Sequence, residues 1–246
     1  MIQYAKDSTD ILPLFSYQIS QYMIKSLLFR KKGKLDRADN SAMITWGPSL
    51  IIGGEFSDTI SEALKSKLQN NRGPYWIYSP EGEWKSFVEA TFAGHLEEKQ
   101  VNLYKYDESN VTNYQPENSY IVQVTGEWLQ SGLSSTIKNE IYSYTSIDDF
   151  LQNGFGLALV INNKLCGYCL SEYGIDNECA ISIWVDEEYR RLGYAKKMTQ
   201  LFMHHGMNKN WSVFWGCEAD NIPSNKLAKL TGFTFSSSLK YYEWTK

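Results

Sequence analysis

The apolar positions of this chain recur in helical spacing in some stretches and alternate or run together in others, and the changes between the two mark its elements. Over Ile11–Arg30 the apolar residues Leu14, Phe15, Ile19, Met23, Leu27 and Leu28 recur at a spacing that predicts a helix. Lys31–Asn40 is charged and is expected to form a loop. Ser41–Ile52 is extended in character, interrupted at Gly47-Pro48, and stops at Gly53-Gly54. Ser57 or Asp58 is placed to cap a helix through Leu68. Tyr75–Tyr78 predicts a strand, Glu83–Phe92 a helix and Val101–Tyr106 a strand. From Tyr106 to Glu117 the chain is polar and carries Pro116, the character of a linker.

Downstream, Tyr120–Val124 predicts a short strand, and Glu127–Gly132, Ile137–Tyr144 and Ile147–Gln152 predict helical segments. Phe155–Ile161 and Leu165–Glu172 are strands flanking Asn162-Asn163-Lys164, a hairpin turn by its residue chemistry. Cys179–Val185 is a third strand, followed by a polar loop, Asp186–Gly193, and an amphipathic helix, Tyr194–His205. Trp211–Cys217 predicts a strand, Ser224–Leu230 a helix, and Phe233–Trp244 a terminal hairpin or strand pair. Neither an internal repeat nor a low-complexity tract is visible. The expectation is an N-terminal α/β domain over residues 1–115, then a domain over residues 116–246 with a mixed sheet and helices on both faces.

Composition narrows the chemistry. With 43% apolar and 15% aromatic residues in 246, the chain can bury a real core. Lys and Arg total 24 against 28 Asp and Glu, which argues against a nucleic-acid partner held by a general basic field. A small basic pocket for a phosphate stays compatible with that balance. No apolar run reaches the roughly 18 residues of a membrane span, and Met1–Asp7 lacks the layout of a signal peptide. A cytoplasmic protein without a membrane partner is expected, which makes the sequon Asn110-Val111-Thr112 incidental. Four cysteines are too sparse for a disulfide scaffold. Cys166 and Cys169 form a C-x-x-C on a strand, where residues three apart point to opposite faces, and no second pair completes a zinc site. Core packing is the better reading of both. His204 and His205 diverge on a helix and His95 stands alone, so no metal is expected and a Ser-His-Asp triad is poorly supplied. Gly53-Gly54 has neither P-loop nor Rossmann spacing and is expected to be a plain turn.

The segment Val185 to Ala195 carries the most specific chemistry. A buried strand ends, a turn with Arg190 and Arg191 follows, and a helix starts at once. A helix N-terminus offers unpaired N–H groups and the positive end of a dipole, which suits phosphate. Gly193 lets the backbone approach an anion without a Cβ in the way, and Ala195 is small for the same reason. The pattern R-x-x-G-x-A suits a pyrophosphate cradle. About 30 residues on comes Asn221, Ser224, Leu227, Gly232 and Phe233.

Together these two segments resemble the GNAT superfamily of acyl-CoA-dependent N-acyltransferases, whose elements are R/Q-x-x-G-x-G/A and N-x-x-A/S-x-x-L-x-x-K-x-G-F. Leu230 stands where that family usually has lysine. The resemblance covers roughly the C-terminal half, and the chain looks most like the bacterial branch that includes zwittermicin A-resistance-type acetyltransferases. It implies a GNAT-like mixed, mostly antiparallel sheet and acetyl-CoA as co-substrate. Ile183, Trp184 and Val185 would run beside the pantetheine arm, an N–H near Val185 would hold the developing oxyanion, and Arg190, Arg191, Leu192, Gly193, Tyr194 and Ala195 would cradle the pyrophosphate. Asn221 would contact the pantetheine and Ser224 would lie near the thiol; Asn221 also reads as a helix-entry turn residue, and the two roles can coexist. Ala228 occupies the position where many relatives have a tyrosine that protonates the thiolate, leaving that role to Ser224, Tyr241, Tyr242, water or no group at all.

For the general base, a carboxylate near the strand cleft would serve, directly or through water. Glu218, Glu178 and Asp220 rank in that order, with Glu172 a further candidate. The expected activity is acetyl transfer from acetyl-CoA to a primary amine of a small molecule by direct attack. The alternatives are a non-catalytic acyl-CoA-binding sensor or scaffold and a protein or peptide N-acetyltransferase.

Overall fold

A computed structural model describes residues 10–15, 21–106, 120–130 and 135–246. Most of the polar stretch read as a linker, the sequon and the middle of the first predicted helix lie outside those residues. The chain packs as two compact units, one formed by residues up to Val101 together with Ser238–Lys246, the other by Asn102–Ser237.

In the first unit a 3-10 turn, Leu12–Phe15, and α1, Gln21–Phe29, precede three antiparallel strands: β1 (Lys34–Ala38), β2 (Ser41–Trp46) and β3 (Ser49–Gly54). α2 (Asp58–Gln69) then leads to β4 (Tyr75–Tyr78), which pairs parallel to β3. α3 (Glu83–Thr91) and β5 (Leu96–Tyr106) follow. Ile60, Leu64 and Leu68, spaced on one face of α2, pack with Met43, Leu50, Ile52 and Trp84 in a single core. β1 replaces the loop expected over Lys31–Asn40. It is an edge strand with Lys34 and Arg37 exposed, and charge along an edge blocks pairing with other chains while hiding the usual strand pattern.

In the second unit β6 (Ile121–Gln123) is followed by three short helices, α4 (Gly126–Leu129), α5 (Ser135–Glu140) and α6 (Ile147–Asn153). Three antiparallel strands come next: β7 (Gly156–Ile161), β8 (Lys164–Ile175) and β9 (Glu178–Val185). Asn162 and Asn163 both have positive φ, 49° and 57°, as a two-residue hairpin turn requires. α7 (Tyr194–Asn208) leads to β10 (Ser212–Glu218), parallel to β9, and α8 (Ile222–Leu230) leads to β11 (Phe233–Trp244). Strand order in this unit is β5-β10-β9-β8-β7-β6. One sheet face packs on α7 through Met198, Phe202, Cys169, Cys179 and Val213. The other packs on α4–α6 through Leu129, Ile137, Phe150 and Leu170. The fold is therefore mixed α/β, mostly antiparallel, with helices on both sheet faces.

Two further local expectations change. β11 is one unbroken strand rather than a hairpin; Ser236-Ser237-Ser238 stays extended because no residue there enforces a turn. Cys166 and Cys169 belong to the same core rather than to opposite faces. Leu159 pairs with Gly167 and Val160 with Leu165, so the ladder skips Cys166, and this bulge breaks the two-residue alternation. Both thiols are free and buried.

One order of elements occurs twice, although no repeat is legible in the residues: three antiparallel strands, a helix, a parallel strand, a helix and a long strand. It covers β1 to β5 and again β7 to β11. Each long strand contributes to both units, β5 with residues 102–106 in the second and β11 with residues 238–244 in the first. There β11 pairs with β4 through Tyr242, Glu243 and Trp244.

Phe202 is completely buried on α7 and stacks on Phe155 with centroids 4.2 Å apart. Phe202→Ala is expected to destabilise the second unit by about 3–5 kcal/mol, measured as a lower urea midpoint.

Candidate active site

β9 and β10 pair over three residues only, Glu178, Cys179 and Ala180 against Ser212, Val213 and Phe214. β9 runs on to Val185 and β10 to Glu218, so residues 181–185 and 215–218 have no partners in one another. On its other side β9 stays paired with β8 as far as Val185 opposite Gly167. One edge of β9 thus opens on a fork between parted strands, and backbone polar groups along such an edge need partners from elsewhere.

The end of β10 is held by α8 instead of β9. Trp215 Nε1 donates to Ser224 Oγ at 3.0 Å, and Asn225 Nδ2 donates to the Glu218 carbonyl at 2.9 Å. Asn225 also donates to the Asn221 carbonyl at 2.8 Å, and its Oδ1 accepts from Tyr104 Oη at 2.6 Å and Asn102 Nδ2 at 2.8 Å. This buried amide ties α8 to both β10 and β5. Sequence reasoning passed over it, because an asparagine inside a helix carries no local signal and its partners on β5 lie more than 120 residues away.

At the mouth of the fork the chain turns from β9 into α7. Asp186 N donates to the Cys166 carbonyl at 2.9 Å, and a 3-10 turn, Glu187–Tyr189, follows. Arg190 Nε donates to the Val185 carbonyl at 3.0 Å, which fastens the guanidinium to the strand end. Arg191 and Gly193 are left-handed, with φ of 63° and 84°. Gly193 is the N-cap of α7 and supplies no side-chain cap, so the first-turn N–H groups, at the positive end of a 15-residue helix, have no side-chain acceptor there. Arg190, Arg191, Leu192 and Gly193 are exposed, and a Cβ built on Gly193 would meet no atom within 4 Å. The turn is open and lined by two arginines. Nearby, Asp186 is paired with Lys164 at 3.1 Å, and that ammonium holds its carboxyl below the usual range.

The other predicted site residues fall into distinct places. Ile183 is half-buried on the fork segment of β9, Trp184 is partly exposed and Val185 is buried beside the turn; Tyr194 and Ala195 form the first turn of α7. Asn221 caps α8, its Oδ1 accepting from Ser224 N at 3.1 Å, while the Ser224 hydroxyl accepts from Trp215. Of the three ranked carboxylates, Glu218 ends β10 at the fork and Asp220 is exposed in the following turn. Glu178 sits behind the fork, paired with Ser212, seven residues or about 23 Å along the strand from Val185. Ala228 is fully buried in the core beneath α8 and puts no hydroxyl there. Cys217 is buried too, and burial pushes its thiol up, away from the nucleophilic thiolate.

Residues 13–242 match the sequence description of the GNAT acetyltransferases. The chain belongs to that family. The match begins in the first unit, well before the segments in which a resemblance is legible. Among relatives, an uncharacterized N-acetyltransferase of Bacillus subtilis, YdfB, is 23% identical over 194 residues, 76% of this chain and 73% of that protein. A GCN5-related N-acetyltransferase-like protein from Streptococcus suis superposes with a TM-score of 0.71 at 17% identity, covering 98% of this chain and 99% of the other. A tandem GNAT protein from the clavulanic acid biosynthesis pathway, in a structure without acetyl-CoA, gives 0.63 at 11% identity, covering 98% and 95%. Acetyl transfer is thus the activity of the family to which this chain belongs.

Asn225→Ala would remove the acceptor of the buried Tyr104 hydroxyl and one bond from the Asn102 amide. The expected cost is about 2–3 kcal/mol, read as a lower denaturation midpoint, with Asn225→Asp recovering part of it because its carboxylate still accepts.

Proposed function

We propose that this chain transfers an acetyl group from acetyl-CoA to a primary amine of a small molecule by direct attack. The observation that carries the reading is the fork between β9 and β10 opening onto the uncapped, arginine-lined start of α7. In it, the first-turn amides of α7 with Arg190 and Arg191 hold the diphosphate. The β9 edge from Ile183 to Val185 takes the pantetheine arm by main-chain pairing, and an N–H near Val185 stabilises charge on the thioester oxygen. Acetyl-CoA supplies the activated acyl group. From α8, Asn221 contacts the pantetheine and Ser224 lies near the thiol end. The buried, protonated thiol of Cys217 favours direct attack over an acyl-enzyme.

The first unit is, on this reading, a worn copy of the same element order that holds no CoA. Its turn equivalent to the cradle follows β3 and is closed. A Cβ on Gly54 would lie 1.9 Å from the Asn40 carbonyl oxygen, and the Glu55 carbonyl accepts from Trp84 Nε1 at 3.0 Å. Asp58 stands in the first turn of α2, where it repels an anion. One observation favours a second reading, a binding module without turnover: Ala228 puts no acid in the core beneath α8.

Calorimetric titration with CoA is expected to find one site per chain. Gly193→Asp adds a charge at the anion and a side chain at positive φ, itself costing about 1–2 kcal/mol, and is expected to weaken CoA binding at least about tenfold. Unchanged affinity in that variant would remove the cradle. Release of free CoA from acetyl-CoA in the presence of amines separates the two readings: tight binding with no release across polyamines, aminopolyols and peptides means a binding module.

A further inference from the structure

Glu172 on β8 stands directly opposite Ala180 of β9, and Ala180 is the last β9 residue paired with β10. Its position is therefore in register with the apex of the fork, one strand spacing away, about 4.8 Å between backbones. The side chain is on the sheet face covered by α4–α6. Tyr142, in the turn after α5, donates its hydroxyl to Oε1 at 3.4 Å, and the side chain of Ser182, two residues into the fork, is hydrogen-bonded to the same carboxyl. The same face carries Tyr168 and Trp184, stacked with centroids 5.7 Å apart, with Trp184 37% and Tyr142 44% exposed. A carboxylate beside solvent-reachable rings suits a cation.

Building on the acyl-CoA reading of the fork, we propose that Glu172 is the general base of the transfer and that the acceptor arrives as an ammonium ion. Glu172, level with Ala180 and bonded to Ser182, takes one proton from the ammonium through intervening water; the freed amine forms its bond to the acetyl carbon, the carbon–sulfur bond breaks with its electron pair on the CoA sulfur, and the second proton shed by the nitrogen passes through water to that thiolate. Tyr142 and Ser182 position the carboxylate. None of Glu178, Glu218 or Asp220 is in register with the apex.

The environment suits the role. Burial, reinforced by the charge of Glu140 on α5, pushes the Glu172 carboxyl up to about 7, against the lowering effect of its bonds to Tyr142 and Ser182. The other titratable groups around it are Tyr142, Tyr168, Tyr173 and Cys179. Tyr142, Tyr168 and Cys179 are pushed up by burial and stay protonated at neutral pH. Because the fold favours the neutral acid, its contribution to stability is complete below about pH 4.5 and is lost as pH rises through about 7.

The test measures CoA release from acetyl-CoA with putrescine, tyramine, lysine and kanamycin as probes, and CoA affinity by calorimetry, in wild type and Glu172→Gln. In wild type, kcat/KM is expected to fall about tenfold per unit below about pH 7. Glu172→Gln is expected to lower it by about 10²–10⁴-fold, to lose that limb, to keep its CoA affinity, and to flatten the loss of thermal stability between about pH 5 and 8. Tyr142→Phe, at an exposed position, removes a bond that lowers the Glu172 pKa, so its acid limb moves to higher pH. Glu172→Gln with wild-type rate and pH profile, a Tyr142→Phe limb that does not move, or a wild type that binds CoA but consumes none of the four amines would each overturn the assignment while leaving the CoA site standing. A wild type that binds no CoA would instead overturn the reading of the fork itself.

Discussion

Parallel strands that pair for three residues and then separate stay separated only if other groups hold their ends. Asn225 does this for β10: its amide reaches the Glu218 carbonyl on one side and Asn102 and Tyr104 of β5 on the other. The guanidinium of Arg190 does it for β9 by taking the Val185 carbonyl. Both are buried or half-buried backbone acceptors whose partners come from outside the strand pair, the Glu218 carbonyl accepting from Asn221 N at 3.0 Å as well. The gap left between the strands is the feature on which the proposed acyl-CoA site rests.

The strand–turn–helix succession around the proposed cradle was legible in the sequence because it is local. Arg190, Gly193 and Ala195 fall within six residues, and strand, turn and helix follow each other without a break. The hairpin at Asn162-Asn163 was legible for the same reason. What escaped was set by contacts across the chain. β1 is charged because it is an edge, so its residues look like a loop. The bulge at Cys166 depends on which β7 residue it faces. The ranking of the carboxylates, Glu218 before Glu178 and Asp220, could not draw on the register of β8 against β9 or on a bond to Glu172 from a tyrosine 30 residues upstream.

The same succession of strands and helices ends in opposite chemistry in the two units. After β3 the turn is filled by its own carbonyl contacts and capped by an acidic first turn. After β9 it is open at Gly193 and carries Arg190 and Arg191 beside the helix start. Topology is kept in both places by buried apolar residues that share little identity, whereas affinity for an anion depends on a few exposed positions that can drift without disturbing the core.

The path of β5 has a genetic consequence. Residues 102–106 precede the 107–119 stretch in sequence yet belong to the compact unit formed by Asn102–Ser237. A recombination event breaking the gene in that stretch would part Tyr104 from Asn225, and the descendant would inherit a domain stripped of one strand, with a hungry amide in its interior. Exchange between relatives is therefore constrained to carry both halves together.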